Sequence, residues 1–519
     1  MRQAIRTKAP RAQVVEVYSE SAPVGGWNAR DALANMPPTD AVKLVNWFPT
    51  TSDVRLRGGR EDYATGVTGV TETLAVYNKM DGTSEMFAIS DTDVYDVSVA
   101  GTGAAKSATV TDGRFQQINF SDGTNNWLIL VNGVDKPLYY EGTTWLSVDS
   151  ITSPALTGLT STSIVNVNEY KGRLIFLEKD SLSFWYLSAG AAGGALTEFD
   201  LGSLCHHGGY LMWCATWSFD AGDGPDDACV FMTSEGEVIV YRGTDPSTAS
   251  DWVLMGVYFV GKPLGRRSYT KYGGDLLAII QNGVFPLSSA LQSSQVDPTF
   301  ALTNKIENAF NEASAVYGDN FGWEATLYPA EEAILFNIPV VEGGEHKQYV
   351  MNTITKAWCE FTSWNGDCFV EYNKALYYGY SGGVRKAWAN VSDSGSAISA
   401  IGKTAFSYFG NTSQQKRFTF FRPLLRVNGS ITYYSDLDID FSDRAITGTS
   451  TFAAAEAALW GTAIWGTSVW TNALEVVRQW SSPSNNVGYS ASGAVRIESD
   501  SYTVRWISND YVYERGGVL

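Results

Sequence analysis

Short apolar runs joined by polar or glycine-rich turns recur along most of this chain, and each is too small to fold alone. The clearest lies at 356–388, KAWCEFTSWNGDCFVEYNKALYYGYSGGVRKAW. Cys368, Val370 and Tyr372 alternate along one side of a short strand, Asn373-Lys374 breaks it, Leu376 and Tyr378 resume it, and Gly382-Gly383 predicts a further turn. A tight meander of this length cannot hide its apolar face from water without neighbours of its own kind. Variants follow at 85–99, 127–145, 173–187, 229–241, 275–287 and 333–358. Their starts lie roughly 40–60 residues apart, the spacing of small sheets repeated around an axis and not of a helical solenoid. The expectation is an all-β chain built on a β-propeller. Six blades are favoured because the 333–358 and 356–388 units are expected to share strands, and seven is the alternative.

Composition agrees with a large β interior: of 519 residues, 18% are charged and 13% aromatic, which excludes a disordered chain. Thirty-seven Lys and Arg against 55 Asp and Glu leave a formal charge of −18. A protein that grips duplex DNA by its outer surface needs the opposite balance. A channel wall past which DNA must slide without sticking favours negative charge. The five cysteines, Cys205, Cys214, Cys229, Cys359 and Cys368, are odd in number and show no CxxC pair, as expected of reduced, buried thiols. No run of 18 apolar residues exists, and MRQAIRTKAP leads into no apolar stretch, so neither a membrane span nor a cleaved secretion signal is expected.

The two ends of the chain differ from its body. Residues 1–70 read as an irregular segment holding one strand near 14–18, broken by Pro37-Pro38 and Pro49 and anchored by Trp27, Leu33, Met36, Leu44, Trp47 and Phe48. Residues 71–399 carry the propeller repeats, interrupted by an irregular stretch at 196–228. One helix is expected where Ile306, Ala309, Phe310 and Ala313 fall at i, i+3, i+4, i+7. Residues 400–519 alternate at 417–427, 430–434, 493–497 and 502–507 without blade spacing, which predicts a separate β-rich platform domain completed by the N-terminal segment. Within it Trp460, Trp465 and Trp470 recur every five residues, a period that aligns on neither helix nor strand. Each ring is an anchor, either in the domain's own core or in a pocket of an adjacent subunit.

Several patterns invite a chemical reading and fail on spacing. Gly256 to Lys262 has P-loop spacing, but Pro263 stands where Ser or Thr must hold the metal, bulky strand formers fill the loop, and no helix follows. Cys205, His206, His207 and Cys214 lack the spacing of a four-ligand zinc site. The acidic loop Asp220 to Asp227 has carboxylates for calcium but places Phe231 at the twelfth position, where an EF-hand carries Glu; a weak site stays open. Paired acids such as Glu331-Glu332 and Asp226-Asp227 point to opposite faces of a strand. With only His206, His207 and His346 and no nucleophile elbow, no Ser-His-Asp site is expected. The chain is read as neither an enzyme nor the holder of a metal or cofactor.

The order Gly26-Trp-Asn-Ala-Arg-Asp31, Met36-Pro-Pro38, Asn46-Trp-Phe-Pro49 and Arg57-Gly-Gly59 resembles the opening of tail nozzle proteins of short-tailed bacteriophages, known also as tail tubular protein B or packaged-DNA stabilisation protein. The Trp-Gly-Thr run at 460–470 and the ending Tyr513-Glu-Arg-Gly-Gly-Val-Leu519 extend the resemblance to the other end. It implies a homohexameric nozzle in the virion tail, assembled in the host cytoplasm. Such a nozzle sits below the portal and its adaptor (the head-tail connector), beside tail fibre or tailspike proteins. Double-stranded DNA is retained and then passes through the lumen without specific binding. Trp27, Trp47, Phe48, Trp460, Trp465 and Trp470 are the expected subunit-interface anchors. Two rival readings remain: a carbohydrate-binding tail or adhesion module, and a propeller glycoside hydrolase.

Overall fold

The structure is a computed structural model and describes residues 15–106, 108, 110–220, 225–290, 297–452, 475–483 and 486–518. The chain divides into two units. One gathers Met1–Arg57, Ile354–Cys359 and Gly395–Leu519; the other holds Gly58–Thr353 and Glu360–Ser394.

The second unit is a succession of small, mainly antiparallel groups of strands. Their first strands are Thr73–Asn78, Gln116–Ser121, Ile164–Tyr170, Leu211–Asp220, Tyr269–Tyr272, Glu324–Tyr328 and Cys368–Tyr372. Each sheet touches the next near its first strand, and the seventh returns to the first. The ring is also closed through its backbone: Arg60–Val70, the opening strand of the unit, pairs antiparallel with Ala375–Ala387, the closing one. The unit that holds the ring spans Gly58–Thr353 and Glu360–Ser394. Pairing strands from both ends of the unit fastens the ring, while the outer strand of each sheet still presents an edge.

Alternation explains why the sheets stack. Along Arg173–Glu178 of the third sheet, Leu174 and Phe176 pack with Ile129 and Val131 of the second, while Ile175 and Leu177 pack with Cys214 and Phe231 of the fourth. Successive side chains leave opposite faces of a strand, and here both faces are covered. The same division places Trp213 and Val230 against Leu276 and Ala278 of the fifth sheet. Each buried side chain of this size contributes about 1.5–3 kcal/mol, so the interfaces between sheets are the main store of ring stability.

Two expectations are corrected here. Gly382-Gly383 is not a turn: the strand runs unbroken from Ala375 to Ala387 and takes a bulge there, with the register shifting between Ser381 and Gly383 and Gly382 at φ 98°. A Cβ on Gly383 would stand 2.1 Å from the Ala64 carbonyl oxygen, so close backbone approach, not chain reversal, requires that glycine. The stretch 196–228 is not irregular throughout, because Leu211–Asp220 is the first strand of the fourth sheet. The expected helix is Glu307–Tyr317, preceded by a 3-10 turn at Leu302–Ile306, and it buries Ile306, Phe310 and Ala313.

The first unit is made of the two chain ends. One sheet runs in the order Glu475–Val477, Gln414–Val427, Val504–Val518, Val54–Leu56, Trp47–Pro49, with Val15–Ser21 also paired along Val504–Val518. The other runs Gly26–Trp27, Asp40–Val45, Ile398–Thr404, Ala491–Ser499, Ile431–Ile439, Thr449–Phe452. They pack face to face. The Trp506 ring of one covers Gly402 of the other, where a Cβ would meet it at 2.4 Å, and Phe421 and Tyr511 crowd Gly493 in the same way. The strands expected at 417–427, 430–434, 493–497 and 502–507 are all present.

Candidate functional site

Where the first strands of the ring begin, a cavity of about 300 Å³ is lined by residues of five sheets, among them Thr73, Gln116, Tyr269, Glu324 and Cys368. That is room for roughly ten waters at about 30 Å³ each. One side chain spans this end. Arg267, just before the fifth sheet, donates from Nη1 to the Glu72 carbonyl (2.9 Å) and from Nη2 to Thr73 Oγ1 (2.6 Å) and the Phe115 carbonyl (2.9 Å). Its Nη1 lies 3.6 Å from Glu324 Oε2 of the sixth sheet. The other Glu324 oxygen accepts the amide of Phe369 in the seventh. A guanidinium can serve several sheets at once because its five donors are held in a fixed plane. Arg114 adds a second tie, to Glu72 (2.9 Å) and Glu342 (3.1 Å), and both arginines lie over the Phe321 ring, at 4.5 and 4.9 Å.

This polar centre holds carboxyl groups in an apolar surround. Burial pushes Glu324 up to about 7, outweighing the Arg267 charge beside it. Asp367 is likewise raised by burial to about 7, although it accepts the Gly343 amide at 3.0 Å. His346, 3.6 Å from Asp367, is held below its ordinary 6.5 by burial. The consequence for stability has a definite sign. Between the ordinary carboxyl range and about 7 the folded ring keeps protons that the unfolded chain has released, so stability falls as pH rises. His346 acts in the opposite sense, but only below 6.5. From pH 6.5 to 8 the unfolding free energy of the ring is therefore expected to drop by roughly 1–2 kcal/mol. Urea unfolding at the two pH values measures it; a flat or rising profile contradicts the burial of these groups.

The geometry ties several sheets together at this end of the ring. Among the described residues no group of three or more His, Cys, Asp or Glu is arranged to hold a metal. His206 and His207 instead donate their amides to the Glu237 carboxylate (2.9 and 3.1 Å), and Cys214 is buried 3.5 Å from Cys229. Gly256 sits within the strand Val253–Phe259, paired with Val240, so its backbone does not form a phosphate cradle. Asp122 accepts the Thr124 and Asn125 amides and the Trp127 indole NH, all as a turn support.

The expected interface anchors fare unevenly. Trp47 and Phe48 are buried within their own unit, at 0% and 1% exposure, and Trp47 packs on Trp506 at 5.8 Å. Their faces are already covered, which removes them as anchors for another subunit. Trp27 is half-buried in the strand Gly26–Trp27. Trp460, Trp465 and Trp470 lie outside the described residues, as does most of the acidic loop 220–227. Sequence reasoning missed the exposed apolar residues that are present. Val253, Leu254, Met255 and Phe259 project from the last strand of the fourth sheet, which pairs on one side only, and Phe420 and Trp480 are exposed in the first unit. Their signal was an apolar run, VLMGVYF, which alone reads as core.

No helix among the described residues is long and apolar enough to cross a membrane. No protein-family profile matches the chain, and no curated protein matches it either. Solved structures with some likeness include BBS1N in complex with ARL6DN (12% identity, 65% of this chain and 99% of that chain, TM-score 0.39). Raptor from Chaetomium thermophilum is similar at 10% identity over 64% of this chain and 28% of that one, TM-score 0.39. YCF48 from Cyanidioschyzon merolae is similar at 10% identity over 66% and 97%, TM-score 0.26. The chain is an all-β propeller protein with a second β unit made from its two ends.

Proposed function

We propose that this chain is a structural, non-enzymatic subunit of a short phage tail: a nozzle that joins the portal-adaptor, retains packaged DNA and forms the conduit for ejection. The observation that carries this reading is the convergence of the motif segments. Asn46-Trp-Phe-Pro49 and the ending at 513–518 belong to one sheet, and Arg57 donates to Asn46 Oδ1 at 2.8 Å. Asn28 likewise knits its own motif, accepting the amides of Arg30 and Asp31 and donating to Asp31 and Asp40. Residues that share no chemistry thus share one architectural task, the joining of the chain ends.

The lumen in this proposal is formed between copies. Excess acid facing that lumen repels phosphates and keeps the passage slippery. The exposed apolar edge at Val253, Leu254, Met255 and Phe259 serves as subunit interface, because an unpaired, apolar strand edge in water is an association surface. Light scattering and negative-stain imaging of the purified chain are expected to give six-fold rings, alone or on the adaptor. Met255→Asp is expected to leave monomers whose stability changes by less than about 0.5 kcal/mol. A chain that stays monomeric both alone and with portal and adaptor sinks the proposal.

A further inference from the structure

Beside the cavity spanned by Arg267 lies a larger one of about 570 Å³, bounded by the loops that lead into the first strands. Four cations line it, Arg114, Lys262, Arg266 and Arg267. Three are neutralised within the protein: Arg114 by Glu72 and Glu342, Lys262 by Glu235 at 2.8 Å, and Arg267 by Glu324. Arg266 is the exception. Its Nη1 donates only to the carbonyls of Leu211 (3.4 Å) and Met212 (3.2 Å), and its guanidinium lies 5.7 Å from the Tyr210 ring centroid. Its Nε and Nη2 have no acceptor, and no carboxylate lies within ion-pair distance, among the described residues. A guanidinium stays charged at every physiological pH, and that of Arg266, half-buried and felt by the Asp180 charge only from beyond ion-pair distance, keeps donors to spare. In a chain of formal charge −18, carboxylates are not scarce.

We propose that Arg266 anchors a binding site for a small ring-shaped ligand bearing one carboxylate, an acidic sugar being the simplest, held by a two-point bond from Nε and Nη2. Carboxylate and guanidinium match in this geometry, and charge assistance makes such bonds about twice as strong as neutral ones. The cavity also restricts the charge. Asp112 and Asp319 line it without a paired cation, so a doubly charged phosphate meets repulsion that a single carboxylate avoids. Tyr210 lines the cavity beside Arg266 and offers an aromatic wall suited to the body of a ring, whereas Trp323 is buried and the Phe321 ring is covered by Arg114 and Arg267. The site does not depend on the tail reading.

Calorimetric titration of the full-length chain tests it with glucuronate, glucose and inorganic phosphate at matched ionic strength. Saturable binding of glucuronate, weaker binding of phosphate and none of glucose is the expected order. Arg266→Gln is expected to weaken glucuronate roughly tenfold or more with an unchanged circular dichroism spectrum. Arg266→Lys, which keeps the charge and loses the fork, is expected to weaken it as well. The inference is overturned if glucose or phosphate binds as tightly as glucuronate, if no ligand binds, or if the lysine variant matches the parent.

Discussion

Replacing Arg267 with alanine is expected to lower the unfolding free energy of the ring by about 3–5 kcal/mol at pH 8, the loss seen when one partner of a buried pair is removed. Three hydrogen bonds joining the approach to the fifth sheet with the first and second would go, and Glu324 would be left without its counter-charge. The same change should cost less at pH 6, because Glu324, whose carboxyl is raised to about 7, then carries a proton and no longer needs a cation. Denaturant unfolding of the parent, Arg267→Ala and Arg267→Ala/Glu324→Gln at both pH values reads this coupling. A loss below about 1 kcal/mol, or one independent of pH, contradicts the role of Arg267 as the tie across the ring.

Trp47→Ala is the second large effect. The residue is fully buried, and its ring packs on Trp506 in the core of the unit formed by the chain ends. Large-to-small changes of a buried tryptophan cost about 3–5 kcal/mol, part lost transfer energy and part cavity. The loss should appear in the isolated monomer, measured by urea unfolding at low protein concentration. Had Trp47 been an anchor for a neighbouring subunit, its removal would weaken assembly and spare the monomer; that outcome would contradict the burial described here.

These cases show what the order of residues made legible. The repeated apolar runs announced the propeller because a small meander has few ways to cover itself, and the alternation at Leu174 to Leu177 is the same pattern seen from both sides. Leu211–Asp220 was hidden because MWCATW buries both faces and so shows no two-residue period. At Gly382-Gly383 a bulge and a turn ask for the same residue, and only the partner strand at Ala64 distinguishes them. Trp47, expected at a subunit interface, is buried in its own unit while the run at Val253–Phe259 is exposed, because apolar character states that a side chain avoids water, not which surface relieves it. The network around Arg267 draws on residues spread from Glu72 to Phe369, a spacing over which no local pattern operates.

The central proposal is that copies of this chain, joined along the exposed edge at Val253–Phe259, assemble around a lumen formed between them. Electron cryomicroscopy of the DNA-filled assembly tests it most directly. Duplex density running between the copies is the result this account predicts; a duplex threading a ring, or a solitary chain with no lumen, would contradict it.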